Sequence, residues 1–214
     1  MNLETIPYKN YETELPQSGQ HILGQLREQN IIVYQAFNPA ISDYAVKHQK
    51  FGGSAYSFSR MSWIKPNFLW MMYRAGWATK EHQERILAIE ISLEAFEIIL
   101  EQAVYSSFQA DIYKNHDDWK TAINESDVRL QWDPDHNPLG AKLQRRAIQL
   151  GMRGDILKKF ATEWIISIED ITDFVQEQGR LVAQNDLDAL LVMREQVIPI
   201  ENKGTIKKLK MNQK

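Results

Sequence analysis

Apolar positions along this chain follow two rhythms, one suited to buried strands and one to amphipathic helices, and they alternate through most of its length. Ile31, Ile32, Val33, Tyr34, Gln35, Ala36 and Phe37 form a β-branched and aromatic run, which predicts a strand. Asn38 and Pro39 follow, a capping residue and then a first-turn proline, and predict a helix to about His48. Gly52-Gly53 breaks the pattern, and Tyr56 and Phe58 read as a short strand. Pro66 is expected in the first turn of a helix through Arg74, stopped by Gly76. Residues 85–91 alternate as a strand, Ser92 caps a periodic helix to about Val104, and 117–124 forms another short helix.

The second half continues in kind. A strand is predicted at 128–132, then a turn-rich loop from Asp133 to Gly140. Residues 147–152 fit either a strand or a buried helix start, 155–162 is helical, 164–168 a strand and 171–190 mostly helix. Strands interspersed with helices, with neither repeat nor linker, predict a single α+β domain over 21–200 with a mixed or split β-sheet and packed helices. Residues 1–20 lack periodicity and read as an extended arm. Residues 201–214, with Lys203, Lys207, Lys208, Lys210 and Lys214, read as a disordered basic tail.

Composition narrows the chemistry. The chain has 214 residues, enough for one sizeable core, and no cysteine. Disulfides, thiolate zinc sites and cysteine nucleophiles are thereby excluded, and the cytoplasm is the expected compartment. No apolar run approaches the ~18 residues of a spanning helix, and residues 1–10 lack a secretory pattern, so no membrane is expected. A formal net charge of −3 argues against a wholly basic nucleic-acid binder and directs attention to local patches.

The densest patch runs from Arg60 to Trp77 and holds Trp63, Trp70 and Trp77 with Arg60, Lys65 and Arg74. On a helix begun at Pro66, Trp70, Tyr73 and Trp77 share a face and Arg74 lies one turn beyond Trp70. Aromatic faces stack planar rings and guanidinium forks grip phosphate, so Trp63, Trp70 and Tyr73 are candidate ring platforms and Arg60, Lys65 and Arg74 candidate phosphate partners. The same spacing also fits a core-facing helix whose cations snorkel to water. Secondary candidates are Gln35 in the 31–37 strand, Arg129 and Gln131 on one face of the 128–132 strand, and Arg146 and Gln149 near Gly151. The groups Asp133, Asp135, His136 and His116, Asp117, Asp118 lack recognised ligand spacing, so no metal is expected. No serine occupies a nucleophile elbow.

Three of these segments carry a family resemblance. Val33-Tyr34-Gln35-Ala36, the run from Arg60 to Arg74, and Gln83-Glu84-Arg85-Ile86-Leu87-Ala88-Ile89 resemble the domain-of-unknown-function 4291 family. So do Val128 to Pro134, Arg146 to Gly151 and Trp164-Ile165. The family name implies no activity. A more distant similarity in layout, to ADP-ribosyltransferase-like domains, implies NAD as a cofactor and a nucleotide-utilising group transfer, with Gln149 in the late-strand place where many such enzymes set a glutamate. The contrasting expectation is a noncatalytic module in which the same cations meet nucleic acid or a protein.

Overall fold

The strand expected at 31–37 spans Asn30–Phe37 in a computed structural model that describes residues 3–212, and it lies inside a four-stranded antiparallel sheet. The sheet order is Ile165–Asp170, Arg85–Ser92, Asn30–Phe37, Leu26–Arg27. Both faces of its centre are covered. Ile31 and Val33 enter a cluster with Phe96, Ile99 and Leu130, while Ile32 and Tyr34 enter another with Phe68, Met72 and Val175. Burial on two faces explains why the sequence shows an unbroken apolar run there instead of alternation.

A second, mixed sheet has the order Ser18–Gln20, Lys142–Met152, Val128–His136, Ala103–Tyr105, and Ser62–Ile64 pairs with the far end of Lys142–Met152. Opposite residues Ile148 and Trp132, then Leu150 and Leu130, fill the core between the sheets. Alternation therefore turns Arg129, Gln131, Asp133 and Gln149 to the other face. The two sheets meet at one bridge, where Tyr34 N–H donates to the Lys65 carbonyl at 2.7 Å and Lys65 N–H to the Tyr34 carbonyl at 3.1 Å. The fold is a single α+β domain with a split β framework. No described helix is long and apolar enough to cross a membrane.

Local chemistry sets where helices begin. Asn38 accepts from Ile41 N–H at 3.1 Å and opens Pro39–His48, as expected. The next helix is Phe68–Ala75, starting after Pro66, because Asn67 is the cap and its Oδ1 accepts from Trp70 N–H at 2.6 Å. Pro66 instead favours an extended Lys65, the conformation the inter-sheet bridge uses. Gly76 ends this helix at φ +57°.

Several expectations need correction. Tyr56 and Phe58 form no strand; Tyr56 stacks on Phe51 with ring centroids 5.0 Å apart, so the aromatic content there serves ring packing. Residues 133–136 continue the strand Val128–His136 through Pro134, which is tolerated beside a register irregularity in the partner strand. The segment 147–152 lies in the strand Lys142–Met152, and the helix expected over 171–190 is Thr172–Ala183. The amino-terminal arm is extended only in part: Thr5–Pro7 is a strand paired with Leu191–Met193, but Tyr8–Glu14 is a helix that buries Tyr11. The carboxyl-terminal segment is not disordered where it is described. Asn202 caps the helix Lys203–Lys208, and the buried Leu209 that follows accepts at its carbonyl from Tyr105 Oη at 2.9 Å and Trp132 Nε1 at 3.0 Å. Met1, Asn2, Gln213 and Lys214 lie outside the described residues.

Candidate functional site

The end of Asn30–Phe37, the segment Arg60–Lys65 and the loop before it enclose a cleft of about 620 Å³ at the split between the sheets. Gln35, Arg60, Trp63 and Lys65 all line it. Gln35 is buried, and its Nε2 donates to Ser62 Oγ at 2.7 Å and to the Trp63 carbonyl at 3.1 Å. A carbonyl only accepts, so the amide orientation is fixed and Oε1 is left without a partner. Tyr56 joins this wall, and burial pushes its phenol up against the opposing influence of Ser62. Ser62 and Tyr56 were not among the sequence candidates; Ser62 offered only its place between Arg60 and Trp63, and Tyr56 only its aromatic type.

Lys65 is 7% exposed, yet among the described residues no hydrogen bond or ion pair holds its amine. Burial lowers that amine to about 7, the charge of Arg74 acts in the same direction, and Asp133 opposes both. Arg60 and Arg74 are exposed, and neither forms an ion pair with a described residue. Of the other arginines, Arg27 pairs with Glu90, Arg85 with Asp170, Arg153 with Asp127, and Arg145 with Asp135 and Glu12, while Arg129 and Arg146 bond to backbone carbonyls.

The proposed ring platforms are divided by the fold. Trp63 is half-buried in the cleft and lies over Gly151, where an added Cβ would come within 2.7 Å of the indole and 2.6 Å of Met61 Sδ. Trp70 and Tyr73 do not line that cleft; they stack on His136, at centroid distances of 5.4 Å and 3.5 Å. Arg74 sits 6.0 Å from the Trp70 ring centroid. Gly151→Ala should accordingly displace Trp63 and cost about 1–3 kcal/mol by overpacking. Tryptophan fluorescence and a denaturant melt check this; unchanged emission with unchanged stability would refute the packing described.

The remaining candidates separate by partner. Gln149 Nε2 donates to Gln131 Oε1 at 2.6 Å and Asp133 Oδ2 at 2.8 Å, a polar cluster on the outward face of the second sheet. Arg129 donates to the carbonyls of Ile123, Ser126 and Val128, and so holds the end of the helix His116–Glu125. Arg146 donates to the Trp132 carbonyl at 2.8 Å. Asp135 is engaged by Arg145, and His136 by the aromatic stack. No carboxylate lines the cleft among the described residues.

Together these features define a single α+β domain with a split-sheet cleft whose cations Arg60 and Lys65 make no ion pair with a described residue. The chain belongs to the family described as Domain of unknown function (DUF4291), whose sequence model matches residues 21–202. The helix Tyr8–Glu14 lies outside the matched region. Comparison with curated proteins finds no match.

Proposed function

We propose that the cleft binds a nucleotide, with NAD the first ligand to test, its phosphates on Arg60 and Lys65 and a planar ring against Trp63, while Arg74, packed on Trp70 outside the cleft lining, adds only its positive field. The observation that carries this reading is the buried Lys65 side chain, with no ion pair to a described residue, at the wall of a cleft that also holds Arg60, likewise without one. At about 7 the amine holds its proton only part of the time near neutral pH, and a bound phosphate would favour the protonated form and supply the partner it lacks. Group transfer of the ADP-ribosyl type is the reaction class this reading favours. It draws on the resemblance in layout read from the sequence, in which Gln149 would take the late-strand place, and on the Gln149, Gln131 and Asp133 cluster outside the cleft lining, which offers donors and acceptors for ribose hydroxyls.

Calorimetric titration of NAD tests the binding step. Arg60→Ala should weaken binding about 10- to 100-fold, the worth of one charge-assisted contact, and leave Tm within a degree or two because the side chain is exposed. Lys65→Met keeps the volume and removes the buried charge, so it should also lose affinity without losing stability. A single-stranded oligonucleotide that binds more tightly than NAD, with affinity falling steeply in salt, would favour the nucleic-acid module instead.

A further inference from the structure

We infer that Lys65 is a nucleophilic amine that condenses with a phosphate-bearing aldehyde, such as a ring-opened sugar phosphate, seated in the cleft. The inference rests on the proposed phosphate binding and adds a covalent step to it. Three features set this lysine apart from an ordinary surface cation. Its side chain is buried at the wall of a cavity large enough for a small phosphorylated metabolite, and no hydrogen bond or ion pair with a described residue restrains the amine. The groups acting on it come from two neighbouring elements, Arg74 of the helix Phe68–Ala75 and Asp133 of the strand Val128–His136. Asp133 accepts from Gln149 and makes no ion pair with the lysine. On the third element, Asn30–Phe37, the neighbours are Tyr34, bridged through its backbone, and the neutral amide Gln35.

Desolvation and a nearby guanidinium both favour the uncharged amine, the form that attacks carbonyl carbon. The Nζ lone pair adds to the aldehyde carbon, the carbonyl oxygen takes up the amine protons and leaves as water, and a C=N bond remains. No oxidant or reductant is required. Arg60, on the same cleft, remains to hold the phosphate, so with an aldehyde ligand the arginine takes the phosphate and the lysine the carbonyl carbon.

Pyridoxal 5′-phosphate is a suitable probe, because it joins a planar ring, a phosphate and an aldehyde. The intact protein is incubated with it, reduced with borohydride and mapped by mass spectrometry, with phosphate-free pyridoxal in parallel. The expected result is one dominant adduct on Lys65, abolished in Lys65→Met, with a labelling rate that levels off just above neutral pH. Arg60→Ala, or pyrophosphate as competitor, should slow labelling by the phosphorylated probe about tenfold and leave pyridoxal unaffected. Adducts scattered over surface lysines with Lys65 unmodified overturn the inference, and NAD binding in the same preparation would then leave the nucleotide reading standing. Equal labelling of Lys65 by both probes keeps the amine and removes the phosphate site. A rate that still climbs toward pH 10 shows an ordinary ammonium and also overturns the inference, while a thermal melt of Lys65→Met shows that the variant is folded.

Discussion

Replacing Arg145 with methionine should cost about 3–5 kcal/mol of stability, a large share of what a domain of this size typically has. Arg145 is 1% exposed, its Nε donates to Asp135 Oδ2 at 2.6 Å, and a second guanidinium nitrogen donates to Glu12 Oε1 at 3.0 Å. Its guanidinium also lies 5.6 Å from the Tyr11 ring centroid. The cost comes less from the lost attraction than from what stays behind. Asp135 is wholly buried, burial already pushes its carboxyl up, and Arg145 is the principal group holding it down. Without the guanidinium the carboxyl rises further above its unfolded value. Such a group stabilises the fold while protonated and loses that contribution as pH rises through its folded pKa. The variant's deficit should therefore be largest near neutral pH and shrink as the pH falls toward the acid range. Denaturant melts at two pH values measure this, and a deficit that grows on acidification contradicts the account. Asp135→Leu combined with Arg145→Met should recover much of the loss, since an apolar pair of similar volume is often as stable as a buried ion pair.

This triad also shows which parts of the molecule were legible in the sequence. Elements were readable where local chemistry decides them: the apolar run 31–37, the Asn38-Pro39 start and the Gly76 stop all occur as read. The segments at either end were misread because their order rests on contacts with residues distant in sequence. Tyr11 donates to Glu195, 184 positions away, and the Leu209 carbonyl receives Trp132 and Tyr105. Neither leaves a periodic trace. Glu195, which also accepts from Asn67 and from Phe68 N–H and is pushed up to about 8 by burial, fastens the helix Phe68–Ala75 from a position that looked like ordinary loop. In the site, Arg60, Trp63 and Lys65 were found as one motif because they lie within six residues of one another. Gln35 was found as a strand residue, but its link to Ser62 was not, since strands distant in sequence meet only in the fold. Arg129 and Arg146 looked like ligand cations because composition cannot distinguish a guanidinium turned to a phosphate from one turned to backbone carbonyls.

Truncating the two tryptophans of that motif should separate packing from binding. Trp70 is 3% exposed, packed on the Tyr73 and His136 rings, so Trp70→Ala should cost about 3–5 kcal/mol. Part of its burial is unfavourable, because the indole Nε1 has no hydrogen-bond partner. Trp70→Phe removes that unsatisfied donor and most of the ring volume remains, so it should cost only about 1 kcal/mol or less. Trp63 is different in kind: it is half-buried, with the cleft on one side and Gly151 on the other. Less of its surface leaves water on folding, and Trp63→Ala should cost about 1–2 kcal/mol. A ring stacked by a ligand contributes about 1–3 kcal/mol, so the same substitution should weaken NAD binding roughly 5- to 150-fold. Trp70→Phe should leave that affinity unchanged, because Trp70 faces the His136 stack and not the cleft. Chemical melts and calorimetry on the three variants give the comparison. Equal, severe destabilisation by Trp63→Ala and Trp70→Ala would make Trp63 a core residue and deprive the cleft cations of a ring to accompany them.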